Sequence, residues 1–170
     1  MLRVLVPSDG SANSLYAIRY VIDEFKKRQD LEIHLLNVQP LFSKLITDYI
    51  DKSDRMDFHQ EQADAALLTT RQMLDAAGIP YSVHAELGNK VDCIVDAARR
   101  LQCDSIIMST ARKSSLIRLV ENSVTNQVLE RTSVPVEVIA GQAASRFERI
   151  GIPAGVGAGA GIVALWMASS

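Results

Sequence analysis

Cysteine is scarce in this chain of 170 residues: only Cys93 and Cys103 occur, and their spacing fits neither a metal site nor a redox pair. Both stand near apolar positions and read as inert core thiols, so no disulfide or metal staple is expected. There is no run of Lys or Arg, and the formal net charge is −2, which argues against a charge-driven nucleic-acid binder. No glycine stands between Gly88 and Gly141, so that stretch holds no glycine-rich phosphate loop. The opening Met1-Leu2-Arg3-Val4-Leu5-Val6 lacks the charged, apolar and cleavage regions of a signal peptide, and a cytoplasmic location is expected. His34, His59 and His84 are scattered. His34 and His84 fit neighbouring strands as a two-ligand arrangement, but without a third ligand no metal is expected. No HExxH, GxSxG, Ser-His-Asp or Cys-His pattern is present, and no catalytic residue is assigned.

What the chain does contain is enough apolar material for one core, 48% hydrophobic against 22% charged residues. Leu2 to Val6 is a short apolar run closed by the turn residues Pro7-Ser8-Asp9-Gly10-Ser11, which reads as a buried strand. Ser11 is the expected N-cap of a helix to Lys27, with Leu15, Ile18, Ile22 and Phe25 on one face. Leu31–Val38 reads as the second strand. Residues 42–57 show no period and read as a crossover loop, and Phe58–Ala77 as a helix stopped by Gly78. Tyr81–Glu86, Ser105–Met108 and Val134–Ile139 complete the strands, with helices at Lys90–Leu101 and Leu116–Arg131 between them. Strands alternating with helices make βαβ units with right-handed crossovers, hence a parallel α/β sheet covered on both faces. Ligands of such sheets bind beyond the strands' carboxyl ends where strand order reverses. Here the loops Pro7–Ser11 and Ser109–Ser115 line that crevice.

The order of these elements, Val6-Pro7-Ser8-Asp9-Gly10-Ser11, Asp104-Ser105-Ile106-Ile107-Met108, and the closing Ser123-Val124 with Val134-Pro135-Val136-Glu137-Val138 together resemble the universal stress protein family over about residues 2 to 140. The resemblance implies an open five-stranded parallel sheet of order 3-2-1-4-5 with helices on both faces. It also implies a homodimer through the edge strand, at Val134, Val136 and Val138. One branch of the family binds ATP through a glycine, two residues, a second glycine, nine residues and Gly-Ser or Gly-Thr. This chain keeps that spacing with Ser109, Arg112 and Asn122-Ser123, and every glycine is replaced. A Cβ in the left-handed region costs about 1–2 kcal/mol and fills space a phosphate needs. The chain therefore resembles the branch that does not retain ATP, and no cofactor is expected. If an adenine nucleotide such as ATP does bind, the resemblance places Pro7, Val38 and Met108 along adenine and ribose. It places Asp9 by the nucleoside and Ser109, Arg112, Asn122 and Ser123 in the phosphate motif, with Ser8 and Val124 also in the site. For Asp9 and Ser123 the structural reading is favoured over the binding one: a turn residue for Asp9, a mid-helix or cap residue for Ser123.

The chain divides into an α/β domain over 1–141, a linker over 142–149 and an uncharged tail over 150–170. The tail holds five of the nine glycines, with Gly155-x3-Gly159 and Gly157-x3-Gly161. Small-residue spacing of this kind suits close helix packing in membranes, and Ile150 to Ala168 nears the span of a bilayer. Three readings stay open: a helix packed on a partner or on its own domain, a peripheral or tail-mediated membrane contact, and disordered chain. The leading expectation for function is a non-enzymatic stress-response or regulatory protein acting through dimerisation and contacts with an unidentified protein partner, without tightly bound ATP. Its alternative is a nucleotide-sensing module using the crevice between the first and fourth strands. An enzyme ranks last, because no nucleophile–base pair is visible.

Overall fold

The computed structural model describes residues 1–42, 51–112 and 123–143. Their elements run β1 (Leu2–Pro7), α1 (Ser14–Lys27), β2 (Leu31–Gln39), α2 (Lys52–Ala76), β3 (Tyr81–Leu87), α3 (Lys90–Arg100), β4 (Ser105–Arg112), α4 (Val124–Arg131) and β5 (Val136–Ala143). All strand pairs are parallel and the order is β3-β2-β1-β4-β5, as the resemblance implies. Strand alternation divides the core in two. Val4, Val6, Ile33, Leu35 and Ile107 pack with Ile18, Val21 and Leu74 of α1 and α2. Leu5, Leu36, Val38, Ile106 and Met108 pack with Val91, Ile94, Val95 and Val128 of α3 and α4.

Several boundaries differ from the sequence expectation, each for a local reason. Helix α2 starts at Lys52 instead of Phe58, and its first turns are almost wholly exposed. A turn packed against nothing carries no apolar stripe to betray it. Its other end behaves as expected: Gly78 takes a φ of +67° and the N–H of Ile79 donates to the Leu74 carbonyl at 3.1 Å. Helix α1 begins at Ser14, yet the Ser11 hydroxyl accepts from the Ser14 N–H at 3.2 Å and so caps it from outside. Strand β4 continues to Arg112 through residues expected to be loop, because Thr110 and Arg112 pair with Ala140 and Ala143 across an irregularity in register. The polar Ser109-Thr110 conceals that extension from a search for apolar runs.

Strand β5 accordingly lies two residues later than expected at its start and runs on to Ala143. Val134 precedes it. Val134 and Val136 pack against the α3–α4 side of the core, and Val138 is 40% exposed. Helix α4 starts at Val124 with Ser123 as its N-cap. The expected first residues of that helix, Asn122, and the tail over 150–170 lie outside the described residues. No helix among the described residues is long and apolar enough to cross a membrane. His34 and His84 do meet, Nδ1 to Nε2 at 3.1 Å, across β2 and β3. Burial, then the charges of His34 and Arg100, lower the His84 pKa from its ordinary value. No group of three His, Cys, Asp or Glu able to hold a metal is found among the described residues.

Candidate functional site

Strand β1 pairs with β2 from Leu2 to Pro7 but with β4 only at Val4↔Ser105 and Leu5↔Ile106. Beyond Leu5, β1 and β4 part, at the point where strand order reverses. A crevice of about 300 Å³ opens there, within the size range of small-molecule sites. Pro7, Leu36, Val38, Ile94 and Met108 give it apolar walls, and Asp9, Ser11, Asn13, Lys90, Ser109, Thr110, Ser123 and Thr125 supply polar groups.

The β1–α1 loop forms one wall and is tied down from below. The Asn37 side chain, 1% exposed, donates to the Ser8 carbonyl at 2.8 Å and accepts from Gln39 at 2.7 Å. The Ser8 hydroxyl, itself buried, lies 3.2 Å from that of Ser14 and 3.1 Å from that of Thr70 on α2. Gly10 adopts a φ of +76° and sits so close to α2 that a Cβ would lie 2.5 Å from the Ala66 carbonyl oxygen. At the loop's other end, the Asn13 carbonyl accepts from the Ser109 hydroxyl, and Asn13 Oδ1 would be 2.5 Å from a Cβ on Gly141. This scaffold holds up Asp9, whose carboxylate accepts from the Ser11 N–H at 3.1 Å. Burial pushes the Asp9 pKa up, but the Ser11 hydroxyl and N–H and the charge of Lys90 together outweigh it and hold the carboxyl below its ordinary value.

The facing wall is made of two helix starts. Strands β3 and β4 are separated by β2 and β1, so the crossover carrying α3 must pass over both. That path sets Lys90, the first residue of α3, at the crevice, behind the cap in which Asn89 Oδ1 accepts from Val91 and Asp92. Ser123, Val124 and Thr125 open α4 into the same space, and the Ser123 hydroxyl accepts from the Asn126 N–H at 3.2 Å.

Pro7, Ser8, Asp9, Val38, Met108, Ser109, Ser123 and Val124 thus converge on one crevice. Arg112 ends β4, and Asn122 is outside the described residues. Sequence reasoning missed Lys90, Asn37, Ser14 and Thr125. The signal for Lys90 was available: every β-to-α turn of a parallel sheet opens at the same end, and Gly88-Asn89-Lys90 is such a turn. Asn37 was hidden inside an apolar strand pattern. The hydroxyls of Ser8, Ser11, Ser14, Ser109 and Ser123 are engaged with one another, with backbone or with a cap, and none of these bonds is to a basic side chain. Among the described residues the arrangement offers apolar walls, hydroxyls, one carboxylate and one ammonium, which suits binding of a flat, partly polar molecule.

A family model described as the universal stress protein family matches residues 1–140. Universal stress protein MJ0531 of Methanocaldococcus jannaschii is 27% identical over 149 residues, 81% of either chain. Among solved structures, that of hypothetical protein MJ0577 is 24% identical, covers 84% of this chain and 98% of its own, and gives a TM-score of 0.68. A universal stress protein in complex with cAMP is 19% identical, covers 81% of this chain and 96% of its own, and gives 0.62. A family protein from Arabidopsis thaliana with AMP bound is 16% identical, covers 85% and 94%, and gives 0.59. At such identities these structures show the fold alone.

Proposed function

The chain belongs to the universal stress protein family, and from that premise we propose that it is a non-enzymatic regulatory module that binds an adenine nucleoside or nucleotide in the crevice between β1 and β4. The observation that carries this is the parting of the two strands beyond Leu5, with eight of the positions assigned to nucleotide contact gathered around the gap. Structures of this fold hold cAMP, dAMP and AMP, which favours nucleotide binding over action through protein contacts alone. Apolar side chains at Val38, Ile94 and Met108 suit a purine face, and Asp9 suits the hydroxyls of a ribose. The missing glycines between Gly88 and Gly141 argue against a tight grip on a triphosphate. The test is calorimetric titration with adenosine, AMP and ATP, with mass spectrometry of any molecule released from the purified protein. Adenosine and AMP are expected to bind, ATP no tighter than AMP, and no ATP to copurify. Asp9→Ala is expected to weaken adenosine about tenfold, the scale of one charge-assisted hydrogen bond. A chain that binds none of the three compounds does not have this function.

The edge of β5 supports a second element of the reading, a homodimer. Within the described residues β5 pairs only with β4, and an open edge of this kind invites strand pairing with a partner. Sedimentation at tens of micromolar is expected to give a dimer, reduced by Val138→Lys. A monomeric wild type removes this part of the proposal alone.

A further inference from the structure

We propose that Lys90 binds the anionic group of the crevice's ligand, and that this contact makes a nucleoside monophosphate, not a triphosphate, the preferred occupant. The inference rests on the nucleotide reading above and deepens it.

Asp9 and Lys90 are the two charged side chains among the described residues lining the crevice. Lys90 takes part in none of the ion pairs found among those residues. Its ammonium is near enough to Asp9 to influence that carboxyl, but not bound to it. As the first residue of α3, Lys90 also stands where the helix dipole disfavours a cation. Water solvates this exposed ammonium when the crevice is empty, and an anion bound there gains a partner whose charge no other described side chain has taken.

The second helix start of the same wall favours the same occupant. The Ser123 hydroxyl uses a lone pair to accept from Asn126, which leaves its proton to donate outward. The first N–H groups of a helix have no intrahelical acceptor, and Val124 and Thr125, at the start of α4, line the crevice. An ammonium from the start of α3, with a hydroxyl and helix N–H groups from the start of α4 lining the same crevice, makes a site for a single phosphate. The further phosphates of a triphosphate would need the close backbone approach that glycine allows, and the stretch between Gly88 and Gly141 has no glycine to provide it.

Calorimetry with adenosine and AMP on the full chain tests this through Lys90→Gln and Lys90→Arg, with thermal melts confirming that each variant is folded. For Lys90→Gln, AMP affinity is expected to fall about tenfold while adenosine affinity stays within about twofold, and Lys90→Arg is expected to restore AMP binding. Equal losses for adenosine and AMP would make Lys90 a contact for the nucleoside and overturn the proposal. So would unchanged AMP affinity, or wild-type AMP affinity no higher than that for adenosine. A wild type that binds neither compound removes the nucleotide reading itself, an outcome distinct from all of these.

Discussion

The two walls of the crevice are built differently. The β1–α1 loop is held by buried polar bonds from β2 and α2 and by one contact that only glycine permits, Gly10 against the Ala66 backbone, with Gly141 close to the end of the Asn13 side chain. The facing wall consists of helix starts secured by their own caps, Asn89 for α3 and Ser123 for α4. Beyond those caps, the two helices share packing around Val91 and Val128 and an exposed Arg131–Asp92 pair. Such exposed pairs contribute about 0–1 kcal/mol. One wall is therefore a loop fixed by buried polar bonds, and the other is the exposed ends of two helices that rest on the apolar core through Val91 and Val128 and close with local caps. A fixed wall suits the invariant part of a ligand, a base and its sugar. A wall set by caps and one free ammonium can change its selectivity for the charged part without endangering the fold.

The sharpest way to break this comparison is at Gly10. Gly10→Ala is expected to destabilise the domain by about 3 kcal/mol, combining about 1–2 kcal/mol for a Cβ at positive φ with a displaced backbone contact. Urea unfolding measures the loss. A cost under about 1 kcal/mol would mean that the loop can move away from Ala66, and that the first wall is no more fixed than the second.

Asn37 sharpens the same contrast from beneath. It is buried in β2 with its amide on the Ser8 carbonyl. Asn37→Ala leaves that carbonyl without its side-chain partner and is expected to cost about 2 kcal/mol. The check is again urea unfolding, with adenosine titration alongside, and affinity is expected to fall together with stability. Adenosine binding that survives unchanged in a destabilised Asn37→Ala would separate the polar scaffold from the site it is argued to support.

The two walls were also unequally legible in the sequence. The strands and the reversal point could be read because Val4, Val6, Leu5 and Ile106 to Met108 form short apolar runs, and apolar runs reflect burial directly. The first wall's loop showed itself through Pro7, Asp9 and Gly10, which are turn residues for reasons internal to the backbone. Asn37 did not, since a single amide among Leu35, Leu36 and Val38 gains its meaning only when β1 ends beside it. Lys90 did not either, because nothing local ties the first residue of a helix after β3 to a gap on the far side of β2. That link comes from the crossover, a property of topology and not of neighbouring residues. The extension of β4 through Ser109 and Thr110 went unseen for the same reason: its pairing partner is β5, about thirty residues on.

Ser123 is where the smallest effect should appear, and where a local device can be separated from a ligand contact. Its hydroxyl caps a helix of eight residues. Loss of such a cap costs about 1 kcal/mol, so Ser123→Ala is expected to lower stability by that amount and to weaken AMP more than adenosine. Aspartate caps helices as well as serine does and favours the positive end of the dipole. Ser123→Asp is therefore expected to keep stability within a few tenths of a kcal/mol of the wild type while repelling a phosphate placed between α4 and Lys90. If Ser123→Asp binds AMP as well as the wild type, the start of α4 does not face the phosphate. If Ser123→Ala is as stable as the wild type, the second wall is held by something other than its cap, and the contrast between the walls loses its physical basis.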